Sequence, residues 1–153
     1  MFLYYMIRRF WGFWHLYNNL NRKWILSSLT TILWNYYMSV QSGYVGKNAV
    51  FKNEPCFPHG QKGVFISGGA KIGENCVIYQ NVTIGSNDNK NSKKYGAPTI
   101  GNNVLIGAGA TIIGNVVIGN NVRISANCAV NEDIPDDSYV FPVKGIIIKN
   151  EDC

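Results

Sequence analysis

His59 is the side chain in this 153-residue chain best suited to moving a proton near neutral pH. It stands in Phe57-Pro58-His59-Gly60-Gln61-Lys62-Gly63, where proline and two glycines impose irregular backbone. A neutral imidazole there is a base of suitable strength for a hydroxyl near pH 7. The other histidine, His15, lies among Trp11, Phe13, Trp14 and Tyr17 and reads as structural or interfacial. Four cysteines show no CxxC and no metal-like spacing. Cys76 and Cys128 fall on apolar positions of a repeat and read as inert core thiols, and Cys56 and Cys153 as incidental. A catalytic zinc takes three protein ligands, and one candidate histidine does not supply them, so no metal is expected.

The element that must position His59 is a six-residue repeat. Aliphatic residues recur at Ile66, Ile72, Ile78 and Ile84, then at Ile100, Ile106, Ile112, Ile118, Ile124 and Val130. A helix would recur at three and four, so a fixed period of six points to a solenoid whose units bury their apolar faces by stacking. Four residues after the aliphatic position stand Ala70, Cys76, Val82, Val104, Ala110, Val116, Val122, Cys128 and Ile134. Three residues after it stand Gly69, Asn75, Asn81, Asn87, Asn103, Gly109, Asn115, Asn121, Asn127 and Asp133, types that tolerate a left-handed backbone. Each hexad therefore reads as a short strand and a tight turn, and three hexads as one triangular coil of a mainly β, parallel β-helix.

Domain organisation follows from where the period holds. Residues 1–43 form an aromatic and basic segment with every tryptophan. It carries Arg8, Arg9, Arg22 and Lys23, and no acidic residue precedes Glu54. It is expected to be helical in two pieces, broken near Asn18, Asn19 and Asn21. The uncharged run from Trp24 to Gly46 is diluted by Ser, Thr, Asn and Gln and is a poor bilayer span. Two readings stay open: packing on a coil end or a neighbouring subunit, and peripheral membrane contact through residues 1–40. Residues 44–153 form the solenoid. Val45, Ala49 and Phe51 keep the period before a slip between Phe57 and Ile66. A polar insertion at 86–98 must leave the prism as a loop, where function is usually carried. A cap over 135–153 includes an expected closing strand at Phe141–Lys149. No leader peptide is visible, and a cytoplasmic location, with the inner membrane face as an extension, is expected.

Several stretches resemble the hexapeptide-repeat acyltransferases. They are Pro58-His59-Gly60, Ile66-Ser67-Gly68-Gly69-Ala70-Lys71-Ile72-Gly73-Glu74-Asn75, Gln80-Asn81-Val82-Thr83-Ile84-Gly85, Ala97-Pro98-Thr99-Ile100-Gly101, and Ile106-Gly107-Ala108-Gly109-Ala110 with Ile113-Gly114-Asn115. The likeness covers roughly residues 45–148 and is nearest to serine O-acetyltransferases and sugar O-acetyltransferases of polysaccharide biosynthesis. It implies the left-handed form of the β-helix, an exception to the right-handed crossover rule. It implies acetyl-CoA as acyl donor, a homotrimer, and His59 as general base in a direct ternary complex. It places CoA between adjacent prisms, against Gly107, Ala108, Ser125 and Ala126, with Lys144 and Lys149 near its phosphates. Gly85 is the candidate N–H donor to the oxyanion.

The chain also departs from the serine enzymes. Tyr44 and Pro58 stand where those carry acidic residues, and Ala97 where they carry a second histidine. The residue orienting His59 is left open between Glu54, Glu74 and a backbone carbonyl. These departures favour a carbohydrate acceptor, a sugar hydroxyl of a cell-surface polysaccharide or its lipid-linked precursor. The alternatives are a small-metabolite acceptor, serine-like or xenobiotic, and a non-catalytic scaffold. Nucleic-acid binding is not expected, because the basic residues form no patch in the solenoid and no recognition module appears.

Overall fold

The hexads become two- or three-residue strands that turn three times per coil, as seen in a computed structural model describing Trp14, Tyr17, Asn18 and residues 26–143. Residues 26–143 form one helix, α1 (Leu26–Gln41), and 13 strands. All strand pairings are parallel and fall into three sheets, the walls of a left-handed β-helix. Sheet A holds β1 (Tyr44–Val45), β3 (Phe65–Ile66), β6 (Thr83–Gly85), β9 (Thr111–Ile113) and β12 (Ala129–Val130). Sheet B holds β2 (Val50–Phe51), β4 (Lys71–Ile72), β7 (Thr99–Ile100) and β10 (Val117–Ile118). Sheet C holds β5 (Val77–Ile78), β8 (Leu105–Ile106), β11 (Arg123–Ile124) and β13 (Tyr139–Val140). The chain passes A to B to C and back to A, so each coil has three corners.

The register measures the irregularities. Stacked partners are 18 residues apart in intact coils, as in Ile66↔Ile84, Ile100↔Ile118 and Ile106↔Ile124. They are 21 apart in the first coil, Val45↔Ile66 and Phe51↔Ile72, so the slip adds three residues. Across the polar insertion they are 28 apart, as in Ile72↔Ile100, Ile78↔Ile106 and Ile84↔Ile112, so ten residues leave the prism. The last coil shortens to 16, Ile124↔Val140.

Both apolar positions of the repeat turn inward. The aliphatic residues from Ile66 to Val130 and the small residues from Ala70 to Cys128 are buried in one continuous core. Each fully buried Ile or Val contributes about 1.5–3 kcal/mol of transfer free energy. Corners are held by stacked polar side chains. At the B–C corner Asn53, Asn75, Asn103, Asn121 and Asp137 form a hydrogen-bonded ladder with steps of 2.9–3.3 Å. Asn75, Asn103 and Asn121 are left-handed there, with φ of 56–57°. Gly73 is required nearby for another reason: a Cβ on it would lie 2.3 Å from the Gly101 carbonyl of the next coil.

The expected left-handed turns appear at Asn75, Asn81, Asn103, Gly109, Asn121 and Asn127, but not at Gly69, Asn87, Asn115 or Asp133. Asn87 opens the inserted loop, and Gly114 takes the positive φ, +94°, beside Asn115. Asp133 instead accepts from Val117 N–H at 2.9 Å. Asp137 adopts the left-handed form where the shortened last coil re-enters the ladder.

Helix α1 covers the first coil. Thr30, Trp34, Tyr37, Met38 and Gln41 recur at helical spacing and are buried. The helix ends at Ser42, with φ of 51°, where Gly43 N–H donates to the Met38 carbonyl at 3.2 Å. Tyr37 Oη donates to Gln61 Oε1 at 2.5 Å, and Gly63 N–H donates to the Gln41 carbonyl at 2.9 Å. Tyr17 donates to the Ala49 carbonyl, and burial pushes its hydroxyl up to about 12. The coil-end packing reading therefore describes α1. The expected first helical piece falls outside the described residues, apart from Trp14, Tyr17 and Asn18, and membrane contact through residues 1–40 falls largely there too. At the other end the final strand is Tyr139–Val140 rather than Phe141–Lys149. Phe141–Val143 carry no strand, and residues 144–149 lie outside the described region.

Candidate active site

The three-residue slip sits at the C–A corner and puts His59 on the outside of it. Cys56 still pairs with Val77 on wall C. The chain then turns tightly, with Gly60 N–H donating to the Phe57 carbonyl at 3.0 Å and Gly60 at a φ of +72°. It rejoins the coil where Asn81 N–H donates to the Lys62 carbonyl at 2.9 Å. Val64 keeps the inward apolar place of the turn, and the extra residues leave His59 exposed at the rim.

The imidazole is held from the next coil. Its Nδ1 lies 2.7 Å from Gln80 Oε1, and the Tyr79 ring meets it edge-on, with centroids 5.6 Å apart and planes at 83°. An amide oxygen only accepts, so Nδ1 carries the proton and Nε2 presents a lone pair. Glu54 and Glu74 do not reach it. Both belong to the B–C corner, where their neighbours Asn53 and Asn75 are hydrogen-bonded to each other and wall C intervenes.

Below Gln80 the same corner carries the small residues expected to face CoA. Gly109 N–H donates to the Gln80 carbonyl at 3.1 Å, and Asn127 N–H donates to the Ala108 carbonyl at 2.9 Å. His59, Gln80, Ala108 and Ala126 thus form one column down successive coils, with Gly107 and Ser125 beside it. A Cβ on Gly107 would lie 2.5 Å from Ala126 N, so that position admits no side chain. The column is a narrow strip of small side chains ending at a base, able to hold a thin ligand against the backbone.

Other expected residues lie elsewhere. Gly85 ends β6 at the A–B corner, across wall A from His59, and its carbonyl accepts from Gly114 N–H at 3.0 Å. The 86–98 loop leaves from that A–B corner too, so the two breaks in the repeat occupy different corners of one chain. Lys144 and Lys149 lie outside the described residues. Tyr44 is exposed on wall A, and Ala97 packs at the loop corner against Gly69.

The loop is folded onto later coils. Asn87 and Gly96 exchange backbone hydrogen bonds of 2.8 and 2.9 Å. Asn115 N–H donates to the Lys94 carbonyl at 2.9 Å, and Lys94 Nζ pairs with Asp133 at 2.9 Å. Between loop and wall A is a cleft of about 450 Å³, lined in part by Asn87, Lys94, Thr111 and Ile113. Among the described residues no group of three His, Cys, Asp or Glu could hold a metal, and no helix is long and apolar enough to cross a membrane.

Gln80 is the residue missed in the sequence. The signal was present: Gln80, Ala108 and Ala126 each stand two residues after an aliphatic position, Ile78, Ile106 and Ile124. That these three share a corner with His59 follows only once the extra three and ten residues are assigned to corners.

Residues 97–132 match the family model described as bacterial transferase hexapeptide (six repeats). The chain is similar to a serine acetyltransferase of Staphylococcus xylosus, 34% identical over 130 residues that cover 85% of this chain and 57% of that protein. It is similar in structure to serine acetyltransferase isoform 3 of Entamoeba histolytica in complex with cysteine, with a TM-score of 0.67 and 34% identity over 82% of this chain and 44% of that one. It is also similar to a serine acetyltransferase in complex with CoA, with a TM-score of 0.66 and 25% identity over 82% of this chain and 48% of that one. The chain thus spans about half the length of the relatives it matches.

Proposed function

The solenoid belongs to the hexapeptide-repeat transferase family, and from that premise we propose that the chain is an acetyl-CoA-dependent O-acetyltransferase with His59 as general base. The observation that carries the reading is the corner column: a base held in one tautomer at the head of the strip Gly107, Ala108, Ser125 and Ala126. The CoA complex of a structural relative supports CoA as the ligand of that strip.

Nε2 of His59 takes the proton as the acceptor oxygen attacks the thioester carbon. The tetrahedral intermediate collapses, the C–S bond breaks, and the proton passes to the departing CoA sulfur. Holding both substrates together makes the attack effectively unimolecular. Lys144 meets the CoA phosphates in this reading.

The acceptor we favour is a small serine-type hydroxyl, since the relatives reported are serine acetyltransferases. This displaces the polysaccharide sugar expected from the sequence. A sugar acceptor is kept as a second reading on one observation: an uncharged amide, rather than a carboxylate, contacts the base, while Tyr44 and Pro58 replace acidic positions.

A homotrimer completes the site. Wall A presents the uncharged column Tyr44, Phe65, Thr83, Thr111 and Ala129. With wall A turned to a three-fold axis, the A–B corner of one copy meets the C–A corner of the next. Gly85 and the loop of one subunit then stand beside His59 of its neighbour, but the Gly85 N–H expected as oxyanion donor is already committed to the pairing of β6 with β9.

His59→Ala is expected to lower CoA release by ~10²–10⁴-fold. Release is followed by thiol detection with serine, small hydroxylated metabolites and glycans in parallel. Full turnover in the variant would remove His59 as base. Turnover with glycans alone would reverse the order of the two acceptors. Absence of acetyl-CoA binding by calorimetry would leave a scaffold.

A further inference from the structure

We infer that Gln80 is a positioning residue for the base, fixing the His59 tautomer through a neutral amide where a carboxylate would supply charge. The inference rests on the acetyl-transfer reading above and adds a residue and a mode of control to it.

Three observations carry it. Gln80 Oε1 lies 2.7 Å from Nδ1, a short, well-formed contact. Gln80 occupies the repeat position filled by Ala108 and Ala126 in the following coils, where a small residue suffices for the turn. The long side chain is therefore not demanded by the fold. Tyr79, the next residue back, meets the same ring edge-on, so two consecutive residues of one coil hold the imidazole in plane.

The polarity of the contact follows from the reaction. When His59 takes the acceptor proton, both ring nitrogens carry hydrogen. Oε1 accepts from Nδ1–H before and after that step without rotating. The opposite amide orientation would face a donor with a donor as soon as the imidazolium formed. A carboxylate in place of the amide would stabilise the imidazolium by charge; Gln80 supplies direction without it. Tyr79 is the titratable side chain that the structure places against the ring.

The test uses the full chain with Gln80→Leu, which keeps bulk and removes the acceptor, and Gln80→Glu, which keeps the acceptor and adds charge. Nitrogen-15 imidazole spectra come first, and His59→Ala assigns the signals of the two histidines. Wild type is expected as the Nδ1–H tautomer, and Gln80→Leu as a mixture. In turnover, Gln80→Leu is expected to lower kcat about tenfold or more, within the range set by loss of the base itself. KM for acetyl-CoA should stay within about twofold, and thermal unfolding should be unchanged. Gln80→Glu is expected to recover kcat at alkaline pH and to move the acid limb of the pH profile to higher pH. An unchanged tautomer, or a wild-type kcat and pH profile in Gln80→Leu, overturns the inference. Absent turnover in wild type with the expected tautomer would instead remove the enzymatic reading and leave the Gln80 contact standing.

Discussion

Cys76 and Cys128 point between coils, with Sγ atoms 3.3 Å from the Gly101 carbonyl and 3.5 Å from the Val140 carbonyl. Burial pushes both thiols above their ordinary value. Cys56 is exposed on wall C. A thiol reagent at neutral pH, used on a Cys153→Ser background, is therefore expected to modify Cys56 promptly. Cys76 and Cys128 should react only on unfolding. Rapid modification of either in the folded chain would show that the coils open at those positions. The inward assignment of these two thiols was legible from repeat phase. The His59 partner was not, because a hydrogen bond to Gln80 depends on which turns share a corner, and the sequence carries no direct mark of that.

The inserted loop is the element whose attachment can be titrated. Asp133 is held below the ordinary carboxylate value first by the hydrogen bond from Lys94, and then by that from Val117 N–H. A carboxyl depressed in the folded chain contributes above its unfolded value and loses that contribution as pH falls through its folded value. The loop is thus expected to stay closed on the later coils above the ordinary value of 3.8 and to loosen below it. Amide exchange of residues 92–96, corrected for intrinsic rate, should rise on acidification in wild type. In Asp133→Asn it should already be raised at neutral pH and should change little with acid. Undiminished protection in acid would show that the backbone bond from Asn115 N–H to the Lys94 carbonyl suffices alone. The existence of this loop was plain from the failed period between Ile84 and Ile100. Its direction was not, since a polar run can leave a corner either way until Asp133 and Gly114 fix it.

At the scale of the molecule, the two breaks in the repeat stand at opposite edges of wall A, and a single chain does not bring them together. Wild type is therefore expected to sediment as a trimer. Phe65→Glu, which puts a charge in the middle of the uncharged wall, should give monomers with acetyl transfer lost and the coil intact by circular dichroism. A fully active wild-type monomer would overturn the trimeric site. The sequence by itself determined the solenoid, its inward residues and the places where the period breaks. A period-six pattern of aliphatic, turn and small residues buries itself by stacking coil on coil, and each hexad states that locally. Only the tertiary structure decided which breaks share a corner, that Gln80 holds His59, and that Gly85 stands a wall away. Those relations depend on how 3, 10 and −2 residues of register error accumulate around a triangle, a property of the whole coil path and of no single repeat.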